Sequence, residues 1–199
     1  PEVIKYFEIN NSEILIMEWI DMNNKDHKKL GRGLAEMHIQ SNDANKNNYG
    51  YAQKGYIGTI DQIEGWETNW SDCFINLRIK PQLAILKDGL INDTLKQKIT
   101  NKIKFLLKDH KPFCSLIHGD LWSGNKAISK LGKGIIFDPA CWWADSEIDI
   151  AMTKLFGGFS KDFYNEYYKI LKNKKGFENR ITIYNFYHIL NHTNMFKFK

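Results

Sequence analysis

Cysteine is scarce in this sequence, and long apolar runs are missing. Cys73, Cys114 and Cys141 are the only three cysteines among 199 residues, and none sits in a Cys-x-x-Cys pair. That argues against a disulfide framework and against a zinc ribbon. No stretch approaches the ~20 apolar residues that cross a bilayer, and no signal peptide is recognisable. Internal repeats and low-complexity segments are missing too. The chain opens on Pro1, not on an initiator Met, and runs straight into strand-like sequence, which reads as a piece of something longer. A cytoplasmic globular protein is the resulting expectation.

The composition agrees. Apolar residues make up 43% and charged residues 26%, an ordinary folded mixture. A chain of this length buries roughly 70% of its unfolded surface, so a core forms without staples. Aromatics reach 14%, with 6 Trp, 9 Tyr and 12 Phe, as in a packed interior or a ring-lined pocket. The net charge of +5 favours anionic ligands mildly. Its lysines are scattered, not clustered, so neither a nucleic-acid face nor a membrane-binding face is expected. Nothing in the composition bears on oligomeric state.

Hydrophobic spacing divides the chain into a few strands and many helices, an α+β pattern. Val3–Ile9 and Ile14–Ile20 read as strands around the turn cluster Asn10-Asn11-Ser12, a β-hairpin. A helix is predicted over 26–41, with Asp26 as N-cap and Leu30, Leu34 and Met37 inward. Asn42–Thr59 reads as a long irregular loop. Helical spacing over 66–87 breaks near Pro81. A clearer helix covers 93–109, with Leu95, Ile99, Ile103, Leu106 and Leu107 inward. Ser115–His118 and Gly134–Asp138 are short strands, and helices follow at 147–156, 160–172 and 179–192. Gly31-Arg32-Gly33 resembles a phosphate loop but lies inside a helical pattern with no strand before it, so it carries no such meaning.

The chemistry is concentrated between residues 117 and 138. His118-Gly119-Asp120-Leu121-Trp122-Ser123-Gly124-Asn125 lies at a strand-to-loop transition, and the next strand ends at Asp138. Phosphoryl transfer to a hydroxyl needs one carboxylate to orient the alcohol and accept its proton. It also needs separate hard oxygen ligands for Mg²⁺. An Asp and an Asn five residues apart, with a second Asp on an adjacent strand end, provide that set. The protein-kinase catalytic loop has the same spacing. Gly119 and Gly124 permit the tight backbone. The plainer alternative is that these Asx residues cap a turn.

The run His118–Asn125 resembles the signature of the fructosamine/ketosamine 3-kinase family, relatives of the aminoglycoside phosphotransferases. The similarity continues through Phe137-Asp138-Pro139-Ala140-Cys141 and Glu147–Met152 to Leu155–Phe159. Upstream it includes Leu34–His38, Tyr49–Tyr51, Tyr56–Thr59, Gln62, Trp66 and Trp70, and it is weaker over Tyr184–Asn194. The resemblance implies a protein-kinase-like fold. Residues 1–22 would be a β-hairpin remnant of the small lobe plus the hinge, and 23–199 a mostly helical C-terminal lobe. It also implies ATP and Mg²⁺ as cofactors and a ketosamine, free or protein-bound, as acceptor.

By the same resemblance Asp120 is the catalytic base, and Asn125 and Asp138 are the metal ligands. Met17–Met22 would be the hinge, with Glu18, Trp19 and Ile20 facing the adenine edge; an ordinary edge strand is the alternative there. His118 and Asp149 would support the loop, although Asp149 also suits a helix N-terminus. Trp122, Trp142 and Trp143 are candidates for the acceptor pocket, with core packing as the alternative for the last two. His38 reads as a structural histidine, and Cys114 and Cys141 as inert thiols.

There are departures from the family pattern. Neither its nucleotide-covering loop nor its strand Lys has a match, so the chain alone is expected to bind Mg-ATP poorly. Ala144 and Ser146 stand where the family has Gly and Arg, which leaves Glu147 without an obvious cation. An aminoglycoside- or choline-type kinase and a non-catalytic kinase-fold remnant are the alternatives.

Overall fold

A computed structural model describes residues 1–22, 26–41, 48–87, 89–172 and 175–196. Strands β1 (Val3–Ile9) and β2 (Ser12–Met17) form the expected hairpin. Asn10 and Asn11, with φ of 50° and 61°, make its two-residue loop. Two consecutive positive φ values give the turn whose twist suits the flanking strands, and Asn tolerates them better than most residues. The hairpin is exposed on both faces, with Ile4 at 66% and Leu15 at 52%.

Helix α1 (Lys28–Gln40) is started by Asp26, whose Oδ1 accepts the Lys28 N–H at 2.9 Å. His27 holds the cap position itself, one residue later than the sequence suggested. Gly31 has a packing role: a Cβ there would lie 2.1 Å from the Phe163 carbonyl oxygen of helix α6 (Lys161–Ile170).

The expected irregular loop is corrected within its described part. It contains β3 (Tyr49–Tyr51) and β4 (Gly55–Ile57), followed by β5 (Ile60–Gln62) and β6 (Gly65–Glu67). Three-residue strands are too short to display an alternating pattern. Strand β3 enters an antiparallel sheet in the order β6-β3-β10-β7, with β7 (Ser115–Ile117) and β10 (Trp142–Ala144). Strands β8 (Lys126–Ile128) and β9 (Gly134–Ile136) form a separate hairpin beside it.

The expected break at Pro81 is also corrected. Helix α2 (Trp70–Phe74) passes through a π-helical turn at Ile75–Ile79 into α3 (Lys80–Ala84), with no interruption at the proline. Pro81 has no N–H for the Leu77 carbonyl four residues earlier. The Arg78 Nη1 donates to that carbonyl instead, at 2.7 Å. Helix α4 (Asp93–Leu107) buries Ile103 and Leu107, whereas Leu95 and Leu106, expected inward, are each 45% exposed. Helices α5 (Glu147–Phe156), α6 and α7 (Phe177–Phe196) complete the chain.

Two apolar clusters result. The larger gathers Trp70, Phe74, Trp142, Tyr184 and Tyr187; the smaller gathers Leu30, Leu34, Ile128, Phe163 and Tyr167. Ile117 belongs to the first and Leu121 to the second. The segment between them is therefore pinned at both ends by packing.

His188 on α7 is buried, and neither ring nitrogen has a hydrogen-bond partner among the described residues. Burial pushes its pKa down to about 4, with the charge of Asp149 opposing. The unfolded imidazole takes up a proton near the ordinary value of ~6.5. Stability is therefore complete above that pH and declines as pH falls toward 4, by about 3 kcal/mol from this residue. Urea unfolding of the protein and of His188→Phe at pH 7 and pH 4 should show their stability difference shifting by that amount. A difference independent of pH would contradict the reading.

Candidate active site

Strand β7 ends at Ile117 and the chain turns sharply at Gly119, where φ is 81°. A Cβ at Gly119 would stand 2.1 Å from the Ala140 carbonyl oxygen, so both the dihedral and the close approach require glycine. The loop is held by one buried carboxylate. Asp149, in the first turn of α5, accepts the Gly119 N–H on Oδ1 at 2.8 Å and the His118 N–H on Oδ2 at 2.8 Å. His38 Nε2 lies 3.1 Å from Oδ2, and its Nδ1 is 2.9 Å from the Tyr167 hydroxyl. Burial opposes a charge on Asp149, but His38 and the loop amides hold its carboxyl below the ordinary value. His38 is thus the buried, hydrogen-bonded histidine expected from sequence.

His118 ties this loop to the next one. Its Nδ1 accepts the Asp120 N–H at 3.3 Å, so the ring proton sits on Nε2 and is donated to the Phe137 carbonyl at 2.9 Å. Phe137 N–H in turn donates to the Asn125 carbonyl at 3.1 Å. Asn125 Nδ2 donates to the Asp120 carbonyl at 2.9 Å, to Asp120 Oδ2 at 3.3 Å and to the Asp138 carbonyl at 3.4 Å. Asp120, Asn125 and Asp138 therefore converge. Asp138 has φ of 56°, a strained conformation that turns the chain out of β9 at this point.

Burial pushes the Asp120 carboxyl above the usual carboxylate range; His118 opposes this, the Asp138 charge adds to it, and the Asn125 amide opposes. Asn125 is buried and Asp138 exposed. Neither the Asn125 Oδ1 nor the Asp138 carboxylate has a hydrogen-bond or ion-pair partner among the described residues. These two hard oxygens without partners, on residues joined through Asn125 Nδ2 and the Asp138 carbonyl, form a donor set that suits Mg²⁺.

A second group, His110, Asp145 and Glu147, also brings three ligand atoms within 4.8 Å of one another. It does not suit a cation. Arg180 donates from Nε and Nη2 to both Glu147 oxygens at 2.6 and 2.8 Å. Asp145 Oδ2 takes the Tyr184 hydroxyl at 2.6 Å and lies 2.6 Å from His110 Nε2. Arg180 thus supplies from α7 the cation that the sequence lacks at Ser146.

The tryptophans separate. Trp122 is 42% exposed, and its ring covers Gly124, where a Cβ would lie 2.2 Å from it. Trp142 is fully buried, stacked on Trp70 at 5.8 Å between centroids, with the Arg78 guanidinium 4.0 Å above its ring. It cannot touch an acceptor, and the pocket expectation is corrected there. Trp143 is half-buried and packs against the larger core cluster.

Glu18, Trp19 and Ile20 line a cleft of about 660 Å³ closed on its other side by Lys130, Leu131 and Ile136. That volume suits a nucleotide-sized ligand. Glu18 N–H is engaged by the Glu2 carbonyl at 2.9 Å. The backbone groups of Trp19 and Ile20 enter no backbone hydrogen bond among the described residues. Sequence reasoning missed Arg78, Asp145, Arg180 and Tyr184. For Arg78 the legible signal is a charged side chain on an apolar helix face with Ile75, Ile79 and Leu83.

The fructosamine kinase family model matches residues 1–199. A probable ketoamine kinase of Synechocystis is 38% identical over 185 residues, covering 92% of this chain and 62% of its own length. One from Vibrio parahaemolyticus is 38% identical over 200 residues, covering 98% and 68%. The chain thus spans about two thirds of the length of these relatives. A solved structure described as a "putative fructosamine-3-kinase" from Haemophilus somnus superposes with a TM-score of 0.84 at 30% identity. It covers 100% of this chain and 68% of that one. Choline kinase LicA from Streptococcus pneumoniae, at 12% identity, TM-score 0.58 and coverage of 98% and 65%, shares the kinase-like fold alone.

Asp149→Ala removes the shared acceptor of two buried amides and the partner of His38. Unfolding in urea should show a loss of about 3–5 kcal/mol, and amide exchange at His118 and Gly119 should accelerate. Wild-type protection of those two amides in the variant would show that the loop is held by other means.

Proposed function

The chain belongs to the fructosamine kinase family, and on that premise we propose that the protein transfers the γ-phosphoryl group of ATP to a sugar hydroxyl of a ketosamine on a glycated amine. The observation that carries this is the joining of Asp120, Asn125 and Asp138 by hydrogen bonds into one constellation. The ketoamine kinase names of its relatives support the acceptor class.

Asp120 is the group that meets the acceptor. Its Oδ2 is fixed by Asn125 Nδ2 and its backbone by His118, so the carboxylate is aimed before the alcohol arrives. The hydroxyl proton passes to Asp120 as the oxygen attacks the γ-phosphorus, whose bond to the bridging oxygen breaks and releases ADP. A carboxyl raised by burial is a better base for that proton than a solvated one. Mg²⁺, held by Asn125 and Asp138, would offset charge on the nucleotide phosphates. Asp149 and His118 keep the two arms in register, and such positioning supplies much of the rate in phosphoryl transfer. The adenine edge would meet Trp19 and Ile20 through the backbone, with Glu18 contributing its carbonyl, since its N–H is engaged. Cys73, Cys114 and Cys141 form no disulfide, which suits the reducing cytoplasm.

In the full-length protein Asp120→Asn should lower turnover by roughly 10²–10⁴ while Mg-ATP affinity changes little. Wild-type turnover in that variant would reject the base assignment. In an ATP-consumption assay, ketosamines should be phosphorylated and aminoglycosides and choline should not. The reverse preference would move the acceptor class to the related small-molecule kinases.

A further inference from the structure

Arg78 is a buried cation that the proposed mechanism does not use. It is 2% exposed, and no carboxylate lies within ion-pair distance of it among the described residues. Its Nη1 is taken by the Leu77 and Ile63 carbonyls at 2.7 and 3.2 Å. Nε is buried without a hydrogen-bond partner, and no bond engages Nη2 among the described residues. The guanidinium carbon lies 4.0 Å from the centroid of the Trp142 ring.

This side chain lines a cavity of about 100 Å³ together with Tyr51, Tyr56, Gln62 and Cys141. Pro139 and Ala140, directly after Asp138, form the near wall, so the cavity adjoins the metal-binding arm. Gln62 donates to the Tyr187 hydroxyl at 3.1 Å and is itself buried. Arg78 is the only charged residue in the lining.

We propose that this cavity is a carboxylate subsite on the acceptor side, in which the unengaged Nη2 of Arg78 holds a carboxylate carried by the amine component of the ketosamine. The proposal rests on the ketosamine reading above. A guanidinium N–H donating to a carboxylate is a charge-assisted hydrogen bond, roughly twice as strong as a neutral one. A buried charge with no counter-ion is unfavourable, and a carboxylate removes that imbalance. The same cation repels the protonated nitrogen that links sugar to amine, so the acidic end of the acceptor enters. The volume of about 100 Å³ is well above the ~10–15 Å³ that a single water requires, so a carboxylate fits. Glycated free amino acids, in which the carboxylate stands beside the linking nitrogen, are therefore favoured over glycated amines without one.

The test compares fructosyl-glycine with fructosyl-glycinamide in steady-state kinetics of the protein. The acid should show a KM lower by about tenfold or more, and Arg78→Met should abolish the difference between acid and amide. Equal KM values in the wild type overturn the proposal. Arg78 also secures two backbone carbonyls, so a second measurement needs no variant and no turnover. The Nε–H signal of Arg78, assigned through its contact with the Trp142 ring, is followed by NMR during titration with sodium acetate, acetamide and inorganic phosphate. Movement with acetate but not acetamide supports the subsite. No movement with acetate, or movement with phosphate alone, overturns it. Absence of ketosamine phosphorylation defeats the functional reading, while the acetate titration still decides the subsite.

Discussion

One carboxylate organises the site. Asp149 accepts two consecutive backbone N–H groups, those of His118 and Gly119, from inside a fully buried position. A helix-terminal acid facing solvent would contribute a modest dipole interaction. Here the charge is out of water and is tolerated only because both oxygens are engaged by fixed donors. The loop and α5 therefore cannot move independently. Everything placed on the loop inherits the position of the helix, and α5 is itself seated by Arg180 on Glu147 and by Tyr184 on Asp145.

Strain is stored where that rigidity can hold it. Gly119 takes a positive φ against the Ala140 carbonyl, and Asp138 takes one without the freedom of glycine. Such conformations persist when surrounding bonds over-determine them. His118 supplies part of that constraint by bonding to the Phe137 carbonyl, one residue before the strained position. Asn125 supplies the rest through the Asp120 and Asp138 carbonyls. The result is a pair of short arms aimed at one place, with an exposed carboxylate on one and a half-buried carboxylate on the other.

Much of this was legible in the residues. The spacing of Asp120, Asn125 and Asp138, the opening hairpin and the helix at 147–156 follow from local pattern, because short-range constraints dominate there. Arg180 was not legible, since its partner Glu147 lies 33 positions away. The continuous helix through Pro81 was hidden for a related reason: a side chain, not a backbone pattern, satisfies the orphaned carbonyl. Trp142 follows Asp138 closely in sequence, yet its strand buries the ring in the core against Trp70. Leu95 and Leu106 show the limit of periodicity, which marks an apolar stripe without fixing its edges.

The most direct test is a crystal structure of the protein with Mg²⁺ and a non-hydrolysable ATP analogue. The account predicts one ion bound by oxygens of both Asn125 and Asp138, the Asp120 carboxylate open to the acceptor side, and Asp149 still engaged with the His118 and Gly119 amides. An ion seated instead among His110, Asp145 and Glu147, or a nucleotide bound with Asp149 released from those amides, would contradict it.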